Sequence, residues 1–184
     1  MPVDLNVLLV AAEVHPLVKT GGLADVASAL PTALQRLNVD ARVLMPAYRG
    51  IKDQLKLKPV GKPFQPLTSS DEMRLLKGFL PGTRTPLYLI DCPSLYDRPG
   101  NPYTDQNGHE HWDNALRFGV LSKVAALFGS NKGLGRWRAD VVHCNDWHCG
   151  LGPAYLKFGG DATAASIFTI HNLAYQGNFE QKCG

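Results

Sequence analysis

Lys19-Thr20-Gly21-Gly22-Leu23-Ala24-Asp25-Val26 joins an apolar run, Val7-Leu8-Leu9-Val10-Ala11-Ala12, to a stretch in which Val26, Ala27, Leu30, Leu34 and Leu37 recur at helical spacing. The first run reads as a buried strand and the second as an amphipathic helix, so the two glycines fall at a strand-to-helix turn. Lacking Cβ atoms, Gly21 and Gly22 permit positive φ and let a ligand approach the backbone N–H groups. The unpaired N–H groups of a helix start favour an anion, and Lys19 adds a full positive charge. A diphosphate suits such a turn. The plain alternative is a connecting turn beside a solvated lysine. Two familiar cradles are excluded: the P-loop places its Lys-Ser/Thr after the glycines, and the dinucleotide fingerprint needs a third glycine.

Outward from this turn, strands alternate with helices, the pattern of a parallel sheet covered on both faces. The fold class expected is α/β, a Rossmann-like parallel sheet with an added β-hairpin. The first helix runs to about Asn38. Residues 41–45 form a second strand, ended by Pro46. Residues 51–66, rich in Lys and Pro, read as a loop. Residues 73–80 and 85–90, separated by Pro81-Gly82-Thr83-Arg84, read as the hairpin. A long Pro/Gly/Asn-rich loop follows. Trp112, Ala115, Leu116, Val120, Val124 and Leu127 space a helix over 111–128, ended by Gly129-Ser130-Asn131. Residues 139–144 form a strand, 147–158 a short helix despite Pro153, and 165–170 the last strand.

The 184 residues, 45% of them hydrophobic and 19% charged, fit one domain with a substantial core. Nineteen basic and 16 acidic residues are spread along the chain, without the basic run that nucleic acid or an anionic membrane surface requires. No apolar stretch reaches transmembrane length, and Met1-Pro2-Val3-Asp4 carries no signal or transit pattern, so a cytoplasmic protein is expected. Cys92, Cys144, Cys149 and Cys183 are too few and too irregular for a disulfide framework. His143-Cys144-Asn145-Asp146-Trp147-His148-Cys149 holds metal-ligand residue types but no Cys-x-x-Cys pair, so no metal site is assigned. Nothing marks one of these thiols as an activated nucleophile either.

Ligands of open α/β sheets bind beyond the carboxyl ends of the strands. Glu13, His15 and Lys19 follow the first strand, Asp91 the hairpin, Asn145 and Asp146 the next strand, and His171 the last. An edge shared by such distant residues predicts a cleft. Three residues here have a structural alternative: His171 tying down its own loop, Asp146 capping the following helix, and Trp147 filling the core.

The glycine turn resembles the signature loop of bacterial glycogen synthases and plant starch synthases. Leu95-Tyr96-Asp97-Arg98-Pro99-Gly100-Asn101-Pro102-Tyr103, Asn145-Asp146-Trp147-His148-Cys149-Gly150-Leu151 and His171-Asn172-Leu173-Ala174-Tyr175-Gln176-Gly177 resemble the same family, in the family's order. The resemblance implies a retaining glucosyltransferase of the two-domain GT-B type, moving glucose from ADP-glucose to an α-1,4-glucan with no further cofactor. It implies that His171 and Asp146 act at the transferred sugar. Lys19, Gly21 and Gly22 would hold the diphosphate, and Tyr103 and Asn172 the sugar. A neutral imidazole bonds a hydroxyl without repelling an oxocarbenium-like centre. Tyr96 and Tyr175 stay unassigned, and no carboxylate pair at hydrolase spacing is readable.

With Lys182-Cys183-Gly184 at its end, the chain is expected to be the N-terminal domain or part of it, separated from the C-terminal domain that carries most nucleotide contacts. The fragment alone is then expected to be inactive, with an unpaired sheet edge. The alternatives are a non-catalytic glucan-binding module and a GT-B enzyme using another nucleotide sugar.

Overall fold

The computed structural model describes residues 5–131 and 133–179. Cys183, the N-terminal residues 1–4 and the last residues 180–184 lie outside them. The apolar run becomes β1 (Asn6–Val10), which pairs in parallel with β2 (Asp40–Pro46) on one side and β6 (Val141–Asn145) on the other. β5 (Pro86–Asp91) extends the parallel sheet beyond β2, and β7 (Ala165–Thr169) beyond β6. β4 (Met73–Phe79) and β3 (Lys58–Phe64) add antiparallel strands outside β5. The seven-stranded order is β3-β4-β5-β2-β1-β6-β7.

Alternate residues of β1 enter different layers. Val7 and Leu9 pack with Leu30 and Leu34 of α1 (Leu23–Gln35), whereas Leu8 and Val10 join the main core with Val120, Leu121 and Val124 of α3 (Asn114–Phe128). Both faces of the central strand are buried, which is why it reads as a continuous apolar run. α1 ends just before Asn38, whose φ of 64° stops further helical bonding. α4 (Gly152–Phe158) lies over β6 and β7. Gly152 permits this approach, since a Cβ there would stand 2.6 Å from the Cys144 sulfur.

Four expectations are corrected. Residues 51–66 are not all loop, because β3 occupies most of the second half. Its Lys58, Pro59, Lys62 and Pro63 are residues an edge strand tolerates and a central one does not, so their presence disguised a strand. The long loop includes a one-turn helix, α2 (Pro93–Tyr96). The helix read over 147–158 is broken: a 3-10 turn, Trp147–Cys149, precedes α4, and Pro153 sits in the first turn of α4, where its missing N–H does no harm. The helix read from residue 111 begins at Asn114, leaving Trp112 82% exposed rather than in the core. Val120 and Val124 do turn inward, and with them Phe118, Leu121, Ala125 and Phe128, on several sides of a helix enclosed by the sheet, α4 and the 95–103 loop.

At the opposite sheet edge β7 exposes Ile167 and Phe168, with Ile170 and Leu173 exposed just beyond. It lacks the lysines and prolines that guard β3.

Candidate functional site

The sheet order places β2 and β6 on opposite sides of β1, so the strand order reverses there while the strands stay parallel. A crevice opens at such a switch point, outside the carboxyl ends of the two strands. Here it is a cleft of about 730 Å³. Six of the seven residues proposed for the site line it: Gly21, Gly22, Tyr103, Asp146, His171 and Asn172. They come from four segments well separated in sequence. Lys19 is not among the lining residues; its ammonium contacts the Asp25 carboxylate at 2.7 Å, both side chains about half exposed. An ion pair so exposed contributes less than about 1 kcal/mol, so Lys19 is cheaply released toward an anion.

The residue that organises the cleft is Glu13, 3% exposed just beyond β1. Its carboxylate accepts bonds from the Thr20 hydroxyl at 2.7 Å, the Gly21 N–H at 3.1 Å, the Tyr103 hydroxyl at 2.6 Å and the Thr20 N–H. The expectation that the glycine turn offers its N–H groups to a diphosphate is therefore corrected for Gly21, whose N–H goes to Glu13. Nor do these glycines use positive φ: Gly22 is helical at φ −71°. What they supply is open space, since a Cβ on either would meet nothing within 4 Å.

Tyr103 is held from several directions. Its hydroxyl is on Glu13, its carbonyl accepts from the Asn114 amide at 2.9 Å, and its ring stacks on His148 at 4.8 Å between centroids. Burial, together with the Glu13 carboxylate, raises its pKa far above that of an ordinary tyrosine. The hydroxyl proton is thus committed to Glu13, leaving the oxygen as an acceptor. Tyr103→Phe leaves a carboxylate oxygen short of one donor and is expected to destabilise the fold by about 1–2 kcal/mol. Chemical denaturation checks this; a midpoint unchanged from wild type would contradict it.

Asp146 does cap, its side chain accepting from the Trp147 N–H at 3.1 Å, but at the 3-10 turn rather than at a long helix. Its backbone, at φ 64° and ψ 177°, lies in a region that almost only glycine adopts. Holding a carboxylate there costs about 1–3 kcal/mol. Asp146→Gly is accordingly expected to leave stability equal or higher by up to about 1 kcal/mol while abolishing ligand binding in the cleft. Paired denaturation and calorimetry check both halves; a large loss of stability would refute the strain argument.

His171 follows β7 and contacts Asn145 Oδ1 through Nε2 at 3.1 Å. Two more imidazoles lie nearby. His143 bonds the Thr169 hydroxyl at 2.7 Å, and burial lowers its pKa. His148 is pushed down to about 3, first by burial and then by His171. Burial thus favours the neutral form of both rings. Asn172 accepts the Ala174 N–H at 3.0 Å in a tight turn. Tyr175 is 67% exposed at the rim, whereas Tyr96 is core. Gly177, at φ 64°, lies against the Trp147 ring, where a Cβ would come within 2.4 Å. Beneath this segment a second cavity of about 510 Å³, lined by Phe118, Phe168 and Phe179 among others, shares Asp146, Trp147, His148 and Tyr175 with the cleft.

Cys92, Cys144 and Cys149 are free and buried. Burial pushes the Cys144 thiol up to about 12 and Cys149 well above its usual value, the opposite of an activated nucleophile. Among the described residues no group of three His, Cys, Asp or Glu side chains is placed to hold a metal ion. No helix among them is long and apolar enough to cross a membrane.

Fold and cleft together define an open α/β fold with a crevice at its switch point. Residues 6–183 match the family described as starch synthase catalytic domain, and the chain belongs to that family. It is 50% identical over 178 residues to a glycogen synthase of Nitrosospira multiformis and 47% identical over 176 residues to one of Thioalkalivibrio sulfidiphilus. Each alignment covers 95% of this chain and 36% of the relative, so the chain spans about a third of the length of those proteins. Among solved structures, it is similar to the catalytic domain of starch synthase IV from Arabidopsis thaliana bound to ADP and acarbose. That similarity has a TM-score of 0.74 and 28% identity, over 95% of this chain and 35% of the other.

Proposed function

We propose that this chain forms one wall of the active site of a glycogen synthase, which transfers glucose from ADP-glucose to the non-reducing end of an α-1,4-glucan with retention of configuration. The observation that supports it is convergence: the glycine turn, the loop ending at Tyr103, Asp146 and His171-Asn172 meet in one cleft at the switch point. The solved relative holds ADP and acarbose together, a nucleotide and an oligosaccharide analogue. In this reading His171 and Asp146 face the transferred glucose, Asn172 and the Tyr103 oxygen bind sugar hydroxyls, and Gly21 and Gly22 let the diphosphate come close. Lys19, released from Asp25, steadies the leaving ADP. Charge placed where the leaving group develops is the kind of assistance that lowers such a barrier most. The part of the relatives' length without counterpart here supplies the rest of the donor site. In this reading residues 1–184 belong to the N-terminal domain without completing it, the location is the cytoplasm, and the donor ADP-glucose takes the place of any cofactor.

A second reading, glucan binding without catalysis by these residues alone, is favoured by one feature: the Lys19 ammonium and the Gly21 N–H are both engaged within the protein. Titration calorimetry of the 184-residue chain with maltooligosaccharide and with ADP-glucose, beside an assay of ADP release, tests the proposal. Maltooligosaccharide binding that Asp146→Gly abolishes, with weak donor binding and no turnover, is the expected result. A folded sample that binds neither would overturn it.

A further inference from the structure

Asn145, the last residue of β6, is 1% exposed and spans two strands. Its amide nitrogen donates to the Val10 carbonyl at 3.2 Å and to the His143 carbonyl at 3.1 Å. Both partners only accept, so the amide cannot be turned around without placing oxygen against oxygen twice. Its Oδ1 is thereby fixed as an acceptor, and it meets His171 Nε2 at 3.1 Å. Only a protonated Nε2 satisfies that contact.

From this geometry we propose that Asn145 is a positioning residue that holds His171 as the Nε2–H tautomer, leaving Nδ1 as the ring's bare acceptor. A bare nitrogen accepts a hydroxyl proton and cannot donate to a second acceptor, so in its neutral form the ring selects a hydroxyl-bearing ligand. The anchor is stiff because Val10 and His143 belong to β1 and β6, the paired interior strands that frame the crevice. The sugar part of this inference rests on the proposed function; the tautomer does not.

Long-range proton–nitrogen correlation of the imidazoles in the ¹⁵N-labelled 184-residue chain, at a pH where the ring shifts show His171 neutral, tests it. The expected spectrum gives His171 a protonated Nε2 with a resolved, slowly exchanging proton and an unprotonated Nδ1. In Asn145→Leu, which has nearly the same shape, that proton signal is expected to vanish into solvent exchange and both ring nitrogens to shift toward a tautomer mixture. Should Asn145→Leu fail to fold, the wild-type spectrum alone decides the tautomer. A protonated Nδ1 in the wild type, or an unchanged Nε2–H in folded Asn145→Leu, would overturn the proposal. Added maltooligosaccharide should then move the Nδ1 resonance alone; the expected tautomer without that movement would sink the glucan reading and leave the role of Asn145 standing.

Discussion

Replacing Arg117 by alanine is expected to destabilise the protein by about 3–5 kcal/mol, lowering the thermal midpoint by roughly 8–16 °C for a chain of this length. Arg117 sits inside α3 at 1% exposure, where burial draws its pKa below the usual arginine value. Its guanidinium donates to the Leu95 carbonyl at 2.8 Å, the Pro102 carbonyl at 2.9 Å and Asn114 Oδ1 at 2.6 Å. Its own carbonyl accepts from the Tyr96 hydroxyl at 2.7 Å. One side chain therefore clamps both ends of the segment leading to Tyr103, reinforced by the paired bonds of Arg98 to Asp113 at 2.7 and 2.8 Å. Alanine would leave buried carbonyls without donors beside a cavity. Arg117→Lys keeps the charge but not the fork, and should recover less than half of the loss. Calorimetric melting with limited proteolysis of the 95–103 segment decides it. A change under about 0.5 kcal/mol would show that the clamp contributes little.

The second large effect belongs to Glu13. Glu13→Ala removes the acceptor shared by the Thr20 hydroxyl and N–H, the Gly21 N–H and the Tyr103 hydroxyl. Some of these donors border the cleft, where water can replace the carboxylate, so the expected destabilisation is about 2–4 kcal/mol rather than the sum of separate losses. A functional consequence accompanies the thermodynamic one. Without Glu13 the glycine turn and Tyr103, which face each other across the cleft floor, lose their common anchor. Maltooligosaccharide binding should fall at least tenfold, equivalent to about 1.4 kcal/mol. Glu13→Gln preserves the shape but turns an amide group toward donors, and should lie between. Wild-type affinity in a folded Glu13→Ala variant would contradict this role.

These two residues show where sequence reading stops. The parallel sheet was legible because burial on both faces makes β1 apolar from Val7 onward, and the hairpin because Pro81-Gly82 separates two strand-forming runs. β3 was hidden by lysines and prolines that suit an edge. Trp112 matched the helical spacing of α3 but lies before its first turn, while Arg117, which a periodicity reading assigns to solvent, is among the most buried side chains. Six of the residues that line the cleft were legible through four motifs. Glu13 was visible only as a polar residue past a strand, because its partners at 20, 21 and 103 are brought to it by a loop and a helix that no local pattern connects. Asn145 was likewise placed at the edge, but its orientation depends on two carbonyls that only the sheet pairing brings together. A signal for Glu13 did exist: an acidic side chain directly after a fully apolar strand has to find donors nearby.

The proposed function requires four distant segments to make one sugar-binding cleft. Amide chemical-shift mapping of the ¹⁵N-labelled chain during titration with maltooligosaccharide tests this requirement. Saturable shifts concentrated at Gly21, Gly22, Tyr103, Asp146, His171 and Asn172 are expected. Shifts confined to another surface, such as the β3 edge, or none at saturating sugar in a folded sample, would contradict it.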